Sequence, residues 1–164
     1  VGTLRQAILD ANANGINDAD YINFSLPGTL REDVTISLMS ALPKLTSKIV
    51  IDATTQPSSL LGSTSIRIFL TRASANFFDG LVIDGVSDVE IYGIYFNNFL
   101  SPEGIPADDR TAAINLKNAC TVSPRYKSII IWIIENAKYK SAGGHIFSKT
   151  IFVIYLFIVY YIIL

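Results

Sequence analysis

Four groups of side chains carry the residue types needed to act on or hold a ligand. Asp108-Asp109-Arg110 is an adjacent carboxylate pair with a neighbouring base in a loop. Two carboxylates can share a calcium ion or divide acid and base roles across a glycosidic bond, and an arginine can bind a uronate carboxyl. Adjacent residues on an extended chain point to opposite faces, however, and the surrounding stretch is rich in Pro and Gly, so a solvated loop is the preferred reading. Asp79, Asp84, Asp88 and Glu90 form a second acidic concentration around two glycines. It lacks the alternating Asp/Asn ligands and closing Glu of a calcium loop, and turn and strand-exit capping accounts for it. Tyr92 and Tyr95 flank Gly93 and have the rings to stack on a sugar, although a half-buried strand face is preferred. Cys120 and His145 are each the only one of its kind, but His145 sits in the atypical C-terminal stretch after a Gly-Gly pair, so a thiol with its base is not the preferred reading, and Cys120 reads as a small buried hydrophobe.

No glycine-rich phosphate loop, nucleophile elbow or basic-aromatic stripe is present. No catalytic, cofactor-binding or metal-ligating residue is therefore assigned, and no cofactor is expected. The single cysteine excludes an intramolecular disulfide framework and a multi-cysteine zinc site.

The elements that must position these groups follow from hydrophobic periodicity. In Thr3-Leu4-Arg5-Gln6, a Thr followed three residues later by Gln predicts a capping box, with the hydroxyl accepting from the Gln6 N–H and the Gln6 amide reaching back. Leu4, Ala7, Ile8 and Ala11 then fall at helical spacing on one narrow apolar stripe. The helix should stop at Asn14-Gly15, where Gly can take the left-handed cap. From Tyr21 to Asn118 the period becomes two: Ile22/Phe24/Leu26, Val34/Ile36/Leu38, Ile49/Ile51, Ile66/Ile68/Leu70, Leu81/Ile83, Val89/Ile91, Ile94/Phe96 and Ile114/Leu116. That alternation predicts strands, separated by Pro27-Gly28, Thr54-Thr55-Gln56-Pro57, Asp79-Gly80, Asp84-Gly85 and Ser101 to Pro106. No second amphipathic helix interrupts them, which argues against a doubly wound nucleotide-binding sheet.

An all-β body with one leading helix remains, as either a sandwich of hairpins or a solenoid of parallel strands. Local self-similarity favours the solenoid. Ile51-Asp52-Ala53 and Ile83-Asp84-Gly85 share a strand exit, and Gly80-Leu81-Val82-Ile83 is echoed by Gly93-Ile94-Tyr95-Phe96, as stacked repeats with recurring corners would produce. Asn97-Asn98 and Asn118 fit the same picture as buried asparagines bonding between successive turns of the chain.

Four ordered blocks carry a family resemblance. Gly2 to Asn14, Tyr21 to Gly28, Ser40 to Thr46 and Ile49 to Pro57 resemble the N-terminal region of bacterial secreted and cell-surface right-handed parallel β-helix proteins. Those begin with an S-L-R-[QE]-A-I helix and continue through I-D-G-T-T-Q-P and G-L-x-I segments. The resemblance implies a right-handed parallel β-helix closed at its start by an amphipathic helix, in a secreted or surface location. At the family's first Gly after Ile-Asp this chain has Ala53, which raises the question of whether that corner needs a positive φ.

Composition sets the outer bounds. The 164 residues are 50 % hydrophobic and 16 % charged with net charge −1, which fits neither a disordered nor a nucleic-acid-coating chain. The average blends two populations. Arg125 to Leu164 holds 26 apolar residues of 40 and five Lys/Arg against Glu135 alone, whereas residues 1–124 hold 8 basic and 13 acidic side chains. The chain therefore divides into capped N-terminal β-helix turns at 1–123, where the resemblance ends, and an atypical apolar tail at 124–164. Three readings of the tail stand in order of preference: a segment foreign to the family, such as the product of a shifted reading frame; a truncated membrane anchor, since Ile151 to Leu164 offers 14 apolar residues where a span needs about 20; and further strands. The chain starts at Val1 with no basic-then-apolar leader, which leaves targeting undetermined.

The expectation is thus a non-enzymatic structural or adhesive module with a polysaccharide or cell-surface glycan as partner, no nucleic acid, and a membrane only if the tail is a genuine anchor. The runner-up is a fragment of a polysaccharide lyase or glycoside hydrolase.

Overall fold

A computed structural model gives the structure of the chain; it describes residues 2–28, 30–57, 66–86, 88–99, 101 and 111–118 in full, and four further strands between 128 and 157 by their backbone. The protein is all-β, with one helix leading into strands that lie mostly in parallel sheets.

Helix α1 spans Leu4–Asn14 and buries Leu4, Ile8 and Ala11, with Ala7 packed at the edge of the core. Half of the expected capping box forms. Thr3 Oγ1 accepts from the Gln6 N–H at 3.2 Å, but the Gln6 amide turns the other way and donates to Asp10 Oδ1 at 2.8 Å. A carboxylate one turn on is a stronger acceptor for that NH2, and the i,i+4 spacing puts it within reach. The helix ends where expected. Gly15 has φ 92 and ψ −163, a positive φ without the left-handed helical ψ, so the chain leaves extended rather than curling into a helical cap.

Every predicted alternation before residue 119 coincides with a strand or its immediate flank. These are β1 (Asp20–Asn23), β2 (Thr35–Leu38), β3 (Ile49–Asp52), β4 (Ile68–Arg72), β5 (Leu81–Asp84), β6 (Glu90–Tyr92), β7 (Ile94–Asn97) and β8 (Ile114–Lys117). A 3₁₀ turn, Ala53–Thr55, follows β3. Later in the chain come β9 (Ser128–Ile131), β10 (Lys138–Lys140), β11 (Ile146–Ser148) and β12 (Ile154–Phe157).

The strands form three sheets. The five-stranded sheet has the order β1-β3-β6-β9-β12, the three-stranded sheet β2-β4-β7, and the four-stranded sheet β11-β10-β8-β5. All pairs are parallel except β9 with β12 and β10 with β11. Leu45 adds a single-residue parallel bridge to Ile83 beyond β5. From β1 to β10, strands that follow one another in the chain therefore lie in different sheets; β1 and β2 pair two positions on, with β3 and β4, and β3 to β6 pair three positions on, with β6 to β9.

Parallel pairing in register stacks like on like. Ile22 lies opposite Ile51, Ile51 opposite Ile91, and Ile91 opposite Ile131 in the five-stranded sheet. Ile36, Leu70 and Phe96 align in the three-stranded sheet, and Ile83 aligns with Leu116 in the four-stranded one. Ile8, Ile51, Leu70, Ile83, Ile91 and Phe96 belong to one continuous core to which the helix and all three sheets contribute. Full burial of such side chains is worth about 1.5–3 kcal/mol each and drives the assembly.

The repeated corners fall differently from the expectation. Ile51-Asp52-Ala53 leaves the five-stranded sheet and Ile83-Asp84-Gly85 the four-stranded one, while Gly80 to Ile83 and Gly93 to Phe96 enter two different sheets. These likenesses are not superposed corners. They recur because any strand leaving a packed core presents the same local problem: a buried residue, then a polar cap, then a small residue in the turn. The asparagines also differ from the expectation, since Asn97, Asn98 and Asn118 are exposed. Asn98 and Asn118 take φ values of 62 and 49, a left-handed conformation that Asn tolerates, and they still bond across to the neighbouring strand ends. Asn98 Nδ2 donates to the Arg72 carbonyl at 2.9 Å and Asn118 Nδ2 to Asp84 Oδ1 at 2.9 Å.

Ala53 is fully buried in the 3₁₀ turn and is not among the residues of positive φ, so this corner does not require glycine. Gly80 does have a steric reason. A Cβ there would lie 2.4 Å from the Ala113 carbonyl oxygen, beside the parallel bonds from the Gly80 and Leu81 N–H groups to the Ala112 and Ala113 carbonyls at 2.9 Å.

Candidate functional site

The described carboxylates among those singled out in the sequence, Asp79, Asp84, Asp88 and Glu90, serve the fold. Asp79 precedes β5 and Asp84 ends it. Asp79 Oδ1 accepts from the Ala112 N–H at 2.7 Å and Oδ2 from Asn115 Nδ2 at 2.7 Å. Asp84 accepts from Lys44 Nζ at 2.6 Å on one side and from Asn118 on the other, linking three successive passes of the chain. Those two hydrogen bonds, Lys44 first, hold its carboxyl below the ordinary carboxylate range. Asp88 adopts φ 64 in a turn, and Glu90 in β6 accepts from the Tyr92 hydroxyl. Among the described residues no group of three or more His, Cys, Asp or Glu side chains is placed to hold a metal ion. Asp108, Asp109, Arg110, Cys120 and His145 lie outside the described residues.

Tyr92 and Tyr95 do not form one platform. Gly93, with φ 69, turns the chain between them, so Tyr92 stands in the five-stranded sheet and Tyr95 in the three-stranded one. Both are half-buried. Tyr95 instead packs on Phe69, its register neighbour in β4, with ring centroids 5.4 Å apart and planes at 52°. Arg31 covers the other part of Phe69, its guanidinium carbon 4.4 Å from the ring centroid. Phe69 alternates with Ile68 and Leu70, which face the core, so this cluster lies on the outer face of the three-stranded sheet.

A polar row runs beside it. Ser37, Thr71 and Asn97 are in register across β2, β4 and β7, and Asn97 Nδ2 donates to Thr71 Oγ1 at 3.3 Å. Ser37 and Asn97 are exposed and Thr71 is half-buried. The outer face of this sheet therefore presents a cation and a tyrosine next to a line of hydroxyl and amide groups. That pairing can take the apolar face of a sugar ring on the aromatic side and its hydroxyls on the polar side. Tyr95 was visible in the sequence; Phe69, Arg31, Ser37, Thr71 and Asn97 were not, because 26 residues separate Thr71 from Asn97 and only parallel register makes them neighbours.

Several motif residues that could be mistaken for a site are structural. Arg5 donates to the carbonyls of Ala41 at 2.6 Å and Ser40 at 3.1 Å. Asn12 brackets Leu45, with Nδ2 donating to the Lys44 carbonyl at 2.7 Å and Oδ1 accepting from the Thr46 N–H at 3.0 Å. In Asp52-Ala53-Thr54-Thr55-Gln56, Asp52 Oδ1 caps the Thr54 N–H at 2.9 Å, while Thr55 Oγ1 and Gln56 Oε1 accept from the Phe24 and Leu26 N–H groups at 2.8 Å.

Comparison with protein-family models, with curated proteins and with solved structures gives no match. Among the described residues no helix is long and apolar enough to cross a membrane.

Proposed function

We propose that the chain forms the capped first turns of a right-handed parallel β-helix and acts as a non-catalytic structural and adhesive module of a secreted or cell-surface protein. The observation that carries this reading is the order in which the chain visits its sheets. β1, β2 and the Leu45 bridge, then β3, β4 and β5, then β6, β7 and β8 run through three sheets in the same sequence, each strand pairing in parallel with its counterpart in the next pass. A chain winding in this way leaves a first pass with open strand edges and apolar side chains. Helix α1 lies over that end, burying Leu4, Ile8 and Ala11, and Asn12 supplies amide partners on the open side of Leu45.

The adhesive part of the reading rests on the outer face of the three-stranded sheet, where Arg31, Tyr95, Thr71 and Asn97 offer stacking, charge and hydrogen bonding to a glycan. Binding of the purified chain to an array of plant, bacterial and animal glycans tests it. Retention on a subset of glycans, weakened by Tyr95→Ala and by Asn97→Ala with folding intact, is the expected result. Uniform absence of binding removes the adhesive half. Appearance of an unsaturated, ultraviolet-absorbing product on mixing with pectin or alginate and calcium overturns the non-catalytic half in favour of a lyase. A crystal structure with paired hairpins in place of parallel passes removes the architecture.

A further inference from the structure

The end of the cap helix combines a chemically labile dipeptide with a carboxylate that a change of charge would disturb. Asn14-Gly15 is the only Asn-Gly pair in the sequence. Asn14 is exposed, and Gly15 sits at φ 92 with nothing within 4 Å of where a Cβ would stand. No side chain on the following residue hinders approach of its backbone nitrogen to the asparagine carboxamide, and a glycine turns into the required conformation at little cost. Asn14 Nδ2 donates to Asp20 Oδ1 at 2.8 Å. Asp20 Oδ2 is buried and has no hydrogen-bond partner, so this carboxylate relies heavily on the Asn14 amide.

We infer that Asn14 is a site of spontaneous deamidation, and that the modification loosens the cap helix by replacing the Asn14–Asp20 hydrogen bond with a pair of facing carboxylates. The Gly15 backbone nitrogen attacks Asn14 Cγ and forms a new C–N bond. The Cγ–Nδ2 bond breaks, and the amide group leaves as ammonia with the proton lost from Gly15. Water then opens the cyclic imide at either carbonyl, giving an aspartate or an isoaspartate at position 14. The net reaction is amide plus water to carboxylate plus ammonium, with no oxidant or cofactor. Two carboxylates within hydrogen-bond distance repel, and the one already holding an unpartnered buried oxygen loses its only side-chain donor. The isoaspartate product also inserts an extra backbone carbon at the helix end, where Asn12, two residues away, holds Lys44 and Thr46.

Prolonged incubation of the full chain in warm, mildly alkaline buffer, followed by peptide mapping, reads the modification directly. The expected result is ammonia release with isoaspartate at position 14 ahead of every other asparagine, and its loss in Asn14→Gln. The consequence is read separately by melting. Asn14→Asp should melt lower by about 3 °C or more, and Asn14→Asp combined with Asp20→Asn should recover most of that fall. Modification appearing first elsewhere, or Asn14→Asp melting with the unaltered protein, overturns the inference. Equal losses in the single and double variants overturn its charge-pair half.

Discussion

The carboxamide of Gln56 holds both backbone polar groups of Leu26: its Oε1 accepts from the Leu26 N–H at 2.8 Å and its Nε2 donates to the Leu26 carbonyl at 2.9 Å. The two residues are 30 positions apart, and the contact lies beyond the last paired residue of β1, Asn23 opposite Asp52. One side chain thus continues a parallel ladder past the point where the backbone of β3 turns into its 3₁₀ segment. Gln56 is 3 % exposed, so its amide has no ready water substitute, and Leu26 beside it is half-buried.

Removing that amide leaves two partly buried backbone groups unpaired. Gln56→Leu should lower stability by about 2–4 kcal/mol in urea denaturation, more than its apolar gain can offset. Gln56→Glu keeps the acceptor but sets a carboxylate against the Leu26 carbonyl, so its loss should exceed that of the leucine variant at neutral pH and shrink under acid, when the protonated carboxyl can donate.

Asn12 performs the same substitution on either side of Leu45. Asn12→Ala should cost about 1–2 kcal/mol and selectively speed hydrogen exchange of the Thr46 amide. The freed edge next to Leu45 should also make the variant self-associate with rising concentration on a sizing column, an effect absent from the unaltered chain.

The two large apolar side chains in mid-helix provide an internal control. Ile8 is fully buried whereas its neighbour Leu9 is 45 % exposed. Ile8→Ala should cost about 2–4 kcal/mol and Leu9→Ala about 0.5 kcal/mol or less, measured by thermal or denaturant unfolding. Equal costs would show that the helix does not pack on the core through this stripe.

Two glycine exchanges separate resemblance from requirement. Ala53→Gly should destabilise by about 0.5–1 kcal/mol because Ala53 needs no positive φ and glycine only adds freedom to the unfolded chain. Gly80→Ala should cost about 2 kcal/mol or more, since the Ala113 carbonyl leaves no room for a Cβ.

Acid should act partly through Asp84. Its pKa is lowered in the folded chain, so its contribution is fully present above the unfolded value of about 4 and disappears as pH falls through the lower folded value. Lys44→Met should therefore narrow the difference in stability between neutral pH and about pH 3, and added salt should weaken the effect in the unaltered protein, because the Lys44 side chain is 56 % exposed. A titration curve unchanged by Lys44→Met would show that this pair contributes nothing measurable.

Local features of this protein were readable from its sequence because their causes are local. A Thr before an i, i+3, i+4, i+7 apolar stripe starts a helix, and alternation of Ile and Leu with polar residues marks a strand wherever that strand is later placed. Both follow from the pitch of the backbone and from burying apolar area on one side. The structural role of Asp84 as a strand-exit residue was readable for the same reason. Its link to Lys44 and Asn118, 40 and 34 residues away, was not.

Neighbourhood across the sheets belongs to the tertiary structure. Gln56 reaches Leu26 over 30 residues, Asn98 reaches Arg72 over 26 and Asn115 reaches Asp79 over 36, so no fixed period in the sequence announces which strand will lie beside which. Corners of differing length absorb the variation, and that is why the matching Ile-Asp exits misled: they share local chemistry while lying in separate sheets. The amino-acid sequence by itself determined a capped helix, the positions of its strands up to residue 118 and the faces those strands bury. Only the tertiary structure decided that Tyr95 meets Phe69 rather than Tyr92, and that Asn12 and Gln56 act as surrogate strands, because these contacts join residues far apart in the chain whose encounter is set by burial of the shared core.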